Sequence, residues 1–310
     1  MGLKFQRYLN KMAVNYGIDI SNRDINPKWS NINKDFENLI NKSEKDNINP
    51  TSIRVNTMTL VTYLKNTTIE LKPLMEYLNK IAPNTASFPK KRSSNKVNNK
   101  LPNKQFYNSV SWKIHVKDGN HIFKVSSMFF PNGRIKFAGC KTLRCCSILP
   151  QLLITEVLND VLTGDKIIDR SGIEMVNSDY HIFNRETTNL IKQNVLQTII
   201  RDNFMIKNNG RIRSAEYNPD KYPAVNIKFR PLESSDQDSS KDITICVFNP
   251  GSVIITGKKD FKHIKEGYDY INNIINNHHK DIIYPRPEFQ KITNRPSKKM
   301  ITNFNSLLIQ

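Results

Sequence analysis

What the chain has little of narrows it first. Only four of its 310 residues are cysteine (Cys140, Cys145, Cys146 and Cys246), with no C-x-x-C pairing, and its six histidines offer no partner at zinc-finger spacing. Those thiols therefore read as buried and reduced, and no metal site is expected. His278-His279 would diverge by about 100° on a helix, which suits a polar helix end better than a shared metal. No run approaches the roughly 18 apolar residues of a spanning helix, and the segment MGLKFQRYLN lacks a signal-peptide apolar core. A soluble, intracellular protein without membrane contact is expected. No G-x-S-x-G, Walker loop, G-x-G-x-x-G, H-E-x-x-H or zinc-deaminase pattern occurs, so neither catalysis, a cofactor nor a small-molecule substrate is expected. Acid is scarce too. Asp plus Glu number 28 against 47 Lys plus Arg, a net charge of +19, which calls for an anionic partner, nucleic acid first.

Composition divides the chain. Residues 1–50 are polar, with weak helical periodicity at Phe36–Leu39, and read as an N-terminal extension. The stretch SFPKKRSSNKVNNKLPNK at 87–104 is basic, free of acid and punctuated by Pro and Asn, a loop or disordered insert. Residues 284–310 read as a Pro-rich basic tail.

Between these segments the chain repeats itself. Tyr107, Val110, Trp112, Lys113 and Ile114 align with Tyr222, Val225, Ile227, Lys228 and Phe229 at an offset of 115 residues. Phe130, Gly133, Ile135, Phe137, Gly139 and Lys141 align with Phe248, Gly251, Val253, Ile255, Gly257 and Lys259 at an offset of 118. Upstream, Val55-Asn56-Thr57 resembles Val176-Asn177-Ser178. A duplicated unit of about 100 residues is implied, the first copy at 51–165 and the second at 166–283.

Within each unit the pattern has a period of two. Tyr107, Ser109, Ser111, Lys113 and His115 alternate with Val110, Trp112, Ile114 and Val116, as in a half-buried strand, and the copy divides the same way. Asp118-Gly119 marks a hairpin, Asn132-Gly133 and Pro250-Gly251 mark tight turns, and Thr142 and Asp260 are candidate helix N-caps. Phe261, Ile264, Tyr268, Ile271 and Ile275 form one helical stripe suited to the sheet's apolar side. Each unit thus reads as an antiparallel sheet covered by helices on one side and open on the other. Tyr107, Phe130, Tyr222 and Phe248 fall beside the open face with a line of cations. Singly, each is more simply a packing residue or a solvated charge; together and duplicated, they favour contact with a polyanion.

These residues resemble the TATA-box-binding protein family, most clearly Glu216–Val225 (EYNPDKYPAV) and the Phe–turn–Gly–strand–Thr-Gly-x-Lys run at Phe248–Lys259. The resemblance spans about residues 50–283. It implies an α+β fold in which two pseudo-symmetric repeats form a saddle-shaped antiparallel sheet with helices on the convex face. It also implies a non-enzymatic transcription initiation factor that binds promoter DNA through the minor groove and kinks it. The family is itself the reference case for such a bend, about 80°.

Carried over residue by residue, the resemblance makes Tyr107, Phe130, Tyr222 and Phe248 the intercalating wedges. It makes Lys113, Arg134, Lys141, Lys228 and Lys259 the phosphate contacts, and Val55, Asn56, Val176, Asn177, Ile254 and Thr256 the groove contacts. Asn218 and Asp220 would meet a transcription factor IIB-like protein and, through it, the RNA polymerase machinery, and the loop Leu232–Asp242 is assigned to the same stirrup. AT-rich promoter DNA is the implied ligand. Asn-, Ile- and Lys-heavy composition suggests an AT-rich genome, such as that of a large DNA virus or a protist. The site of action would then be the nucleus, a cytoplasmic site of viral transcription, or the virion. Two other readings stay open: an architectural DNA-bending or compacting protein without promoter specificity, and the accessory domain of a nuclease or glycosylase.

Overall fold

The structure is a computed structural model describing residues 17–41, 47–88, 108–183, 189–208, 210–232, 242–257 and 260–286. It opens with strand β1 (Gly17–Asp19) and helix α1 (Ser30–Ile40). The first repeat follows as β2 (Arg54–Leu64), α2 (Leu71–Ile81), the two-residue β3 (Ala86–Ser87), β4 (Val110–Asp118), β5 (His121–Phe129), β6 (Arg134–Cys140) and α3 (Leu143–Leu152). The second comprises β7 (Ile168–His181), β8 (Asn189–Ile191), α4 (Gln193–Asn203), β9 (Ile212–Asn218), β10 (Tyr222–Phe229), β11 (Ile243–Phe248), β12 (Ser252–Gly257) and α5 (Phe261–Asn277), closed by α6 (His279–Ile282) and β13 (Ile283–Pro285).

One eleven-stranded sheet runs in the order β1-β4-β5-β6-β2-β7-β12-β11-β10-β9, with β3 also paired to β4. All its strand pairs are antiparallel except β1–β4. The first strand of each repeat lies at the centre, so β2 and β7 join the halves and the order reads the same outward from either.

The hydrogen-bond register makes this symmetry quantitative. Thr59 faces Ala138 and Tyr63 faces Arg134 in one half. Asn177 faces Thr256 and His181 faces Ser252 in the other. Each residue of the second set lies 118 positions after its counterpart in the first. The β2–β7 ladder obeys the same shift: Arg54 opposite Asp179 is the image of Val61 opposite Gly172, and Met58 opposite Val176 is its own image. A pseudo-two-fold axis therefore passes through the Met58–Val176 pair. Bulges at Asn56 and Glu174 interrupt the ladder on either side of it and are images of one another. The sequence alignment of Val55-Asn56-Thr57 with Val176-Asn177-Ser178 is thereby corrected by three residues. Thr59 is the counterpart of Asn177, and Asn56 that of Glu174. An odd slip exchanges the two faces of a strand, so this correction alters which side chains look outward.

Helices cover one face. Val110, Trp112, Ile114, Ile135 and Phe137 from the first half join Val225, Ile227, Phe229, Val253 and Ile255 from the second in a single core with Leu74, Leu78, Leu149, Ile264, Ile271 and Ile275. The predicted stripe on α5 is buried throughout. Tyr180 and Tyr268 meet edge to face at 4.5 Å. Their hydroxyls donate to Asn272 Oδ1 and to the Thr51 carbonyl, each at 2.9 Å, so neither polar atom is stranded. Both predicted caps form: Thr142 Oγ1 accepts from the Cys145 amide at 3.1 Å and Asp260 Oδ1 from the Lys262 amide at 2.9 Å. Gly133 and Gly251 turn at φ of +75° and +82°, and a Cβ at either would stand 2.6 Å from Thr67 O or the Phe183 ring. All four cysteines are unpaired and buried.

Much of the stretch read as an extension belongs to this body. β1 pairs with β4 through Gly17–His115, Ile18–Val116 and Asp19–Lys117. Ile20, Trp29, Leu39 and Ile48 are buried, and Phe36 of α1 packs edge to face on Phe261 at 5.4 Å. Leu39→Ala should therefore cost about 2–5 kcal/mol of global stability in urea unfolding, within one transition. A separate low-stability transition would show the N-terminal segment to be an independent layer.

Candidate nucleic-acid interface

Strand alternation decides which side chains reach the uncovered face. In β10 and β11 these are Ala224, Asn226 and Lys228, paired with Phe248, Cys246 and Thr244, and Tyr222 two residues before Ala224, while the intervening Val225, Ile227, Phe229, Ile245 and Val247 are buried. β12 adds Ser252, Ile254 and Thr256, and β7 adds Asn177, Asp179 and His181. The first half presents Ser111, Lys113, His115 and Lys117 from β4, Lys124, Ser126 and Met128 from β5, Arg134, Lys136 and Ala138 from β6, and Thr59, Val61 and Tyr63 from β2.

Of the aromatic residues expected as wedges, Phe130, Tyr222 and Phe248 stand at strand ends on this face. Tyr222, 43% exposed, packs edge to face on Phe248 with ring centroids 5.8 Å apart. Burial raises the Tyr222 phenol above its ordinary pKa, helped by its contact with the Cys246 thiol, which gives the hydroxyl the polar neighbour a phenol needs. Phe130, the counterpart of Phe248 under the 118-residue shift, is half-buried with the Arg134 guanidinium 5.3 Å from its ring. Tyr107 and Lys259 lie outside the described residues.

Of the expected cationic contacts, Lys113, Lys141 and Lys228 are exposed and Arg134 is half-buried. Lys228 Nζ donates to Thr244 Oγ1 at 2.6 Å. Ile254 and Thr256 sit on the open face beside Asp179 and Asn177. Asn177 bridges the central strands, donating to Thr57 Oγ1 at 3.1 Å and accepting from Thr256 Oγ1 at 3.1 Å. Val55 and Val176 do not belong here. Val176 is fully buried, and Val55, opposite buried Ser178, packs against the core, so both face the helices.

An acid the sequence reading passed over lies near the axis. Arg54 Nε and Nη2 grip the two oxygens of Asp179 at 3.0 and 2.8 Å, and Asn56 Nδ2 donates to the same carboxylate at 2.9 Å. Burial opposes ionisation of Asp179, but the hydrogen bonds from Arg54 and Asn56 and the neighbouring positive charge outweigh it and hold the carboxyl below its ordinary range. Across the sheet, burial and then the Lys124 charge lower the His115 pKa, leaving that imidazole neutral at neutral pH. Arg54 and Asp179 are 125 residues apart, and only the β2–β7 register shows that they meet.

Asn218 and Asp220 occupy the exposed β9–β10 turn, where the Asp220 amide donates to Asn218 Oδ1 at 3.2 Å. They share an end of the sheet with Tyr222. The loop between β10 and β11 does not. Its ends, Leu232 and Asp242, adjoin the Phe229–Ile243 pair at the opposite end of the strands, so its assignment to the same stirrup is corrected by the antiparallel direction of β10.

With this geometry in hand, comparison with known proteins is informative. Residues 202–278, from the end of α4 through α5, match the family model described as transcription factor TFIID, or TATA-binding protein. A "TATA-box-binding protein-like" protein of Acanthamoeba polyphaga mimivirus is 26% identical over 202 residues, 60% of this chain and 52% of the relative. The chain is thus similar to the TATA-binding-protein family, through its second repeat and through that viral relative. The chain spans about half the length of that curated relative. Among solved structures, Methanococcus jannaschii TBP aligns at 14% identity with a TM-score of 0.44, covering 73% of this chain and 98% of that one. This chain places an ionised aspartate, Asp179, on the uncovered face of its second repeat.

The folded-state pKa of Asp179 is depressed, so the pair's stabilisation is complete above the ordinary carboxylate range near pH 4 and is lost as pH falls through the lower folded value. Asp179→Asn should accordingly flatten the loss of unfolding free energy below about pH 4, measured by urea titration at stepped pH, and lower the neutral-pH value by the same modest amount, since solvent screens the exposed Arg54 side of the pair.

Proposed function

We propose that this protein binds double-stranded DNA across the uncovered face of its sheet, enters the minor groove and bends the duplex as a transcription initiation factor. The observation that carries this reading is the placement of ring-bearing wedges at symmetry-related ends of one open face. The Tyr222–Phe248 pair stands at one end and Phe130 at its image. Unstacking a base step costs a few kcal/mol and bending a short site about 1–6 more. Aromatic insertion and the wider contact that a bend allows offset those terms. Between the wedges, Asn177, Thr57, Thr59, Thr256 and Ile254 provide small polar and apolar groups of the kind that meet a minor-groove floor of acceptors. Lys113, Arg134, Lys141 and Lys228 meet phosphates, and Tyr107 and Lys259 complete the set expected from the resemblance.

Asn218 and Asp220, exposed at the end that carries Tyr222, are the proposed contact for a transcription factor IIB-like protein that brings the polymerase machinery. Action at AT-rich promoters, in a nucleus or at a viral transcription site, goes with this role. One feature favours a second reading, an architectural bender without promoter preference: Glu174 and Asp179 stand near the axis, where acceptors of the minor groove would otherwise be read. Affinities for AT-rich, GC-rich and random duplexes across a salt series separate the two. A promoter factor should prefer the AT-rich duplex at every salt concentration.

The wedge assignment is tested by bend angle. Phe248→Ala should weaken binding to a short AT-rich duplex and reduce the bend measured by end-to-end energy transfer; an unchanged bend would contradict it. Lys228→Gln should weaken binding to all sequences about equally and reduce the slope of log K against log salt by about 0.9.

A further inference from the structure

The pseudo-two-fold axis allows each open-face position to be compared with its image, and one row fails the comparison. Arg134, Tyr63 and Arg170 lie side by side across β6, β2 and β7. The Arg170 guanidinium sits 4.1 Å from the Tyr63 ring centroid and that of Arg134 6.0 Å from it, while Arg134 also lies 5.3 Å from the Phe130 wedge. The next row inward holds Lys136, Val61 and Gly172. The images of the outer row are Ser252, His181 and Ser52, of which Ser252 Oγ and His181 Nδ1 approach at 3.4 Å. The images of the inner row are Ile254, Asp179 and Arg54, where the one cation is already matched by a carboxylate.

Neither Arg134 nor Arg170 forms an ion pair among the described residues, and Arg134 Nε is buried there with no hydrogen-bond partner. Two guanidiniums drawn to one ring without an acid repel one another and leave their planar donor forks unfilled. A phosphate diester fills such a fork with two parallel charge-assisted hydrogen bonds and cancels the repulsion. The aromatic ring holds both planes in place meanwhile.

We propose that Arg134, Tyr63 and Arg170, with Lys136 behind them, form a one-sided phosphate clamp that makes the first repeat the electrostatic anchor of the complex. The inference rests on the DNA-binding reading above and adds to it a site with no image in the second repeat. The clamp takes a backbone phosphate next to the step entered by Phe130. The Tyr222–Phe248 end contributes mainly by ring insertion, since the cation of β10, Lys228, stands at the far end of that strand beside Thr244.

The test uses the full-length protein and a short AT-rich duplex over a salt series. Arg134→Gln/Arg170→Gln should lower the magnitude of the slope of log K against log salt by about 1.8, twice the effect of Lys228→Gln, with the bend angle retained. Arg134→Lys/Arg170→Lys should restore the slope while recovering only part of the affinity, because a point charge replaces a fork. The melting temperature of the Gln variant should equal or exceed that of the parent, since like charges without partners have been removed. The single variant Arg170→Gln, at an exposed position, should lower the slope by about 0.9 and keeps the test valid if the double variant fails to fold. A slope equal to the parent's in a folded variant that still bends the duplex overturns the clamp and leaves the DNA-binding reading standing. Failure of the parent itself to bind duplex DNA overturns both.

Discussion

Everything in this fold is positioned by one ladder, the antiparallel pairing of β2 with β7. Fixing Met58 opposite Val176 turns both residues into the helix-covered core, and the period of two then assigns every other central side chain to a face. The bulges at Asn56 and Glu174 are needed for this, because each shifts the alternation by one residue. Beyond them Arg54 and Asp179 point outward on one side of the axis, Val61 and Gly172 on the other. Had the strands paired one residue differently, the uncovered surface would be a row of valine, methionine and leucine, and the core would hold threonine, asparagine and aspartate.

Symmetry of backbone and asymmetry of side chains coexist here. The register of the two halves agrees residue by residue, yet Lys124, Arg134 and Lys136 of the first half have Asp242, Ser252 and Ile254 as their images. Charge has therefore diverged while the hydrophobic positions have not: Ile135 and Phe137 match Val253 and Ile255, all fully buried. That is the expected outcome when packing constrains one face and only the ligand constrains the other. A duplex bound as proposed would meet a strongly cationic half and a nearly neutral one. In that complex, long-range attraction would act on the first before short-range contacts engage the second.

The elements themselves were plain in the residues. Period-two segments, the Asn-Gly and Pro-Gly turns, the Thr142 and Asp260 caps and the α5 stripe are all local signals, and each corresponds to an observed element. The Phe130–Phe248 correspondence was also legible, because both residues precede a turn glycine. Three things were hidden. Bulges leave no mark in sequence, so the alignment of the central strands slipped by three residues and put Val55 and Val176 on the wrong face. The Arg54–Asp179 pair and the Arg134–Tyr63–Arg170 row join residues far apart in the chain, visible only once strand order and register are known. The participation of residues 17–50 was masked by their polar composition, since a few buried side chains such as Ile20 and Leu39 suffice to anchor them.

The strand contributed by Gly17–Asp19 has an effect beyond adding three residues to a sheet. In the second half, the outer border of β10 is satisfied by β9 alone; in the first, β3 supplies two residues and β1, running the other way, supplies the remainder. Hydrogen bonds on that border are thus provided from elsewhere in the polypeptide. β1 also moves the margin of the sheet outward, so that in the first half a segment preceding the repeat, rather than the repeat itself, carries the edge. A borrowed hem of this kind makes the flank of one repeat depend on chain that lies outside the duplication.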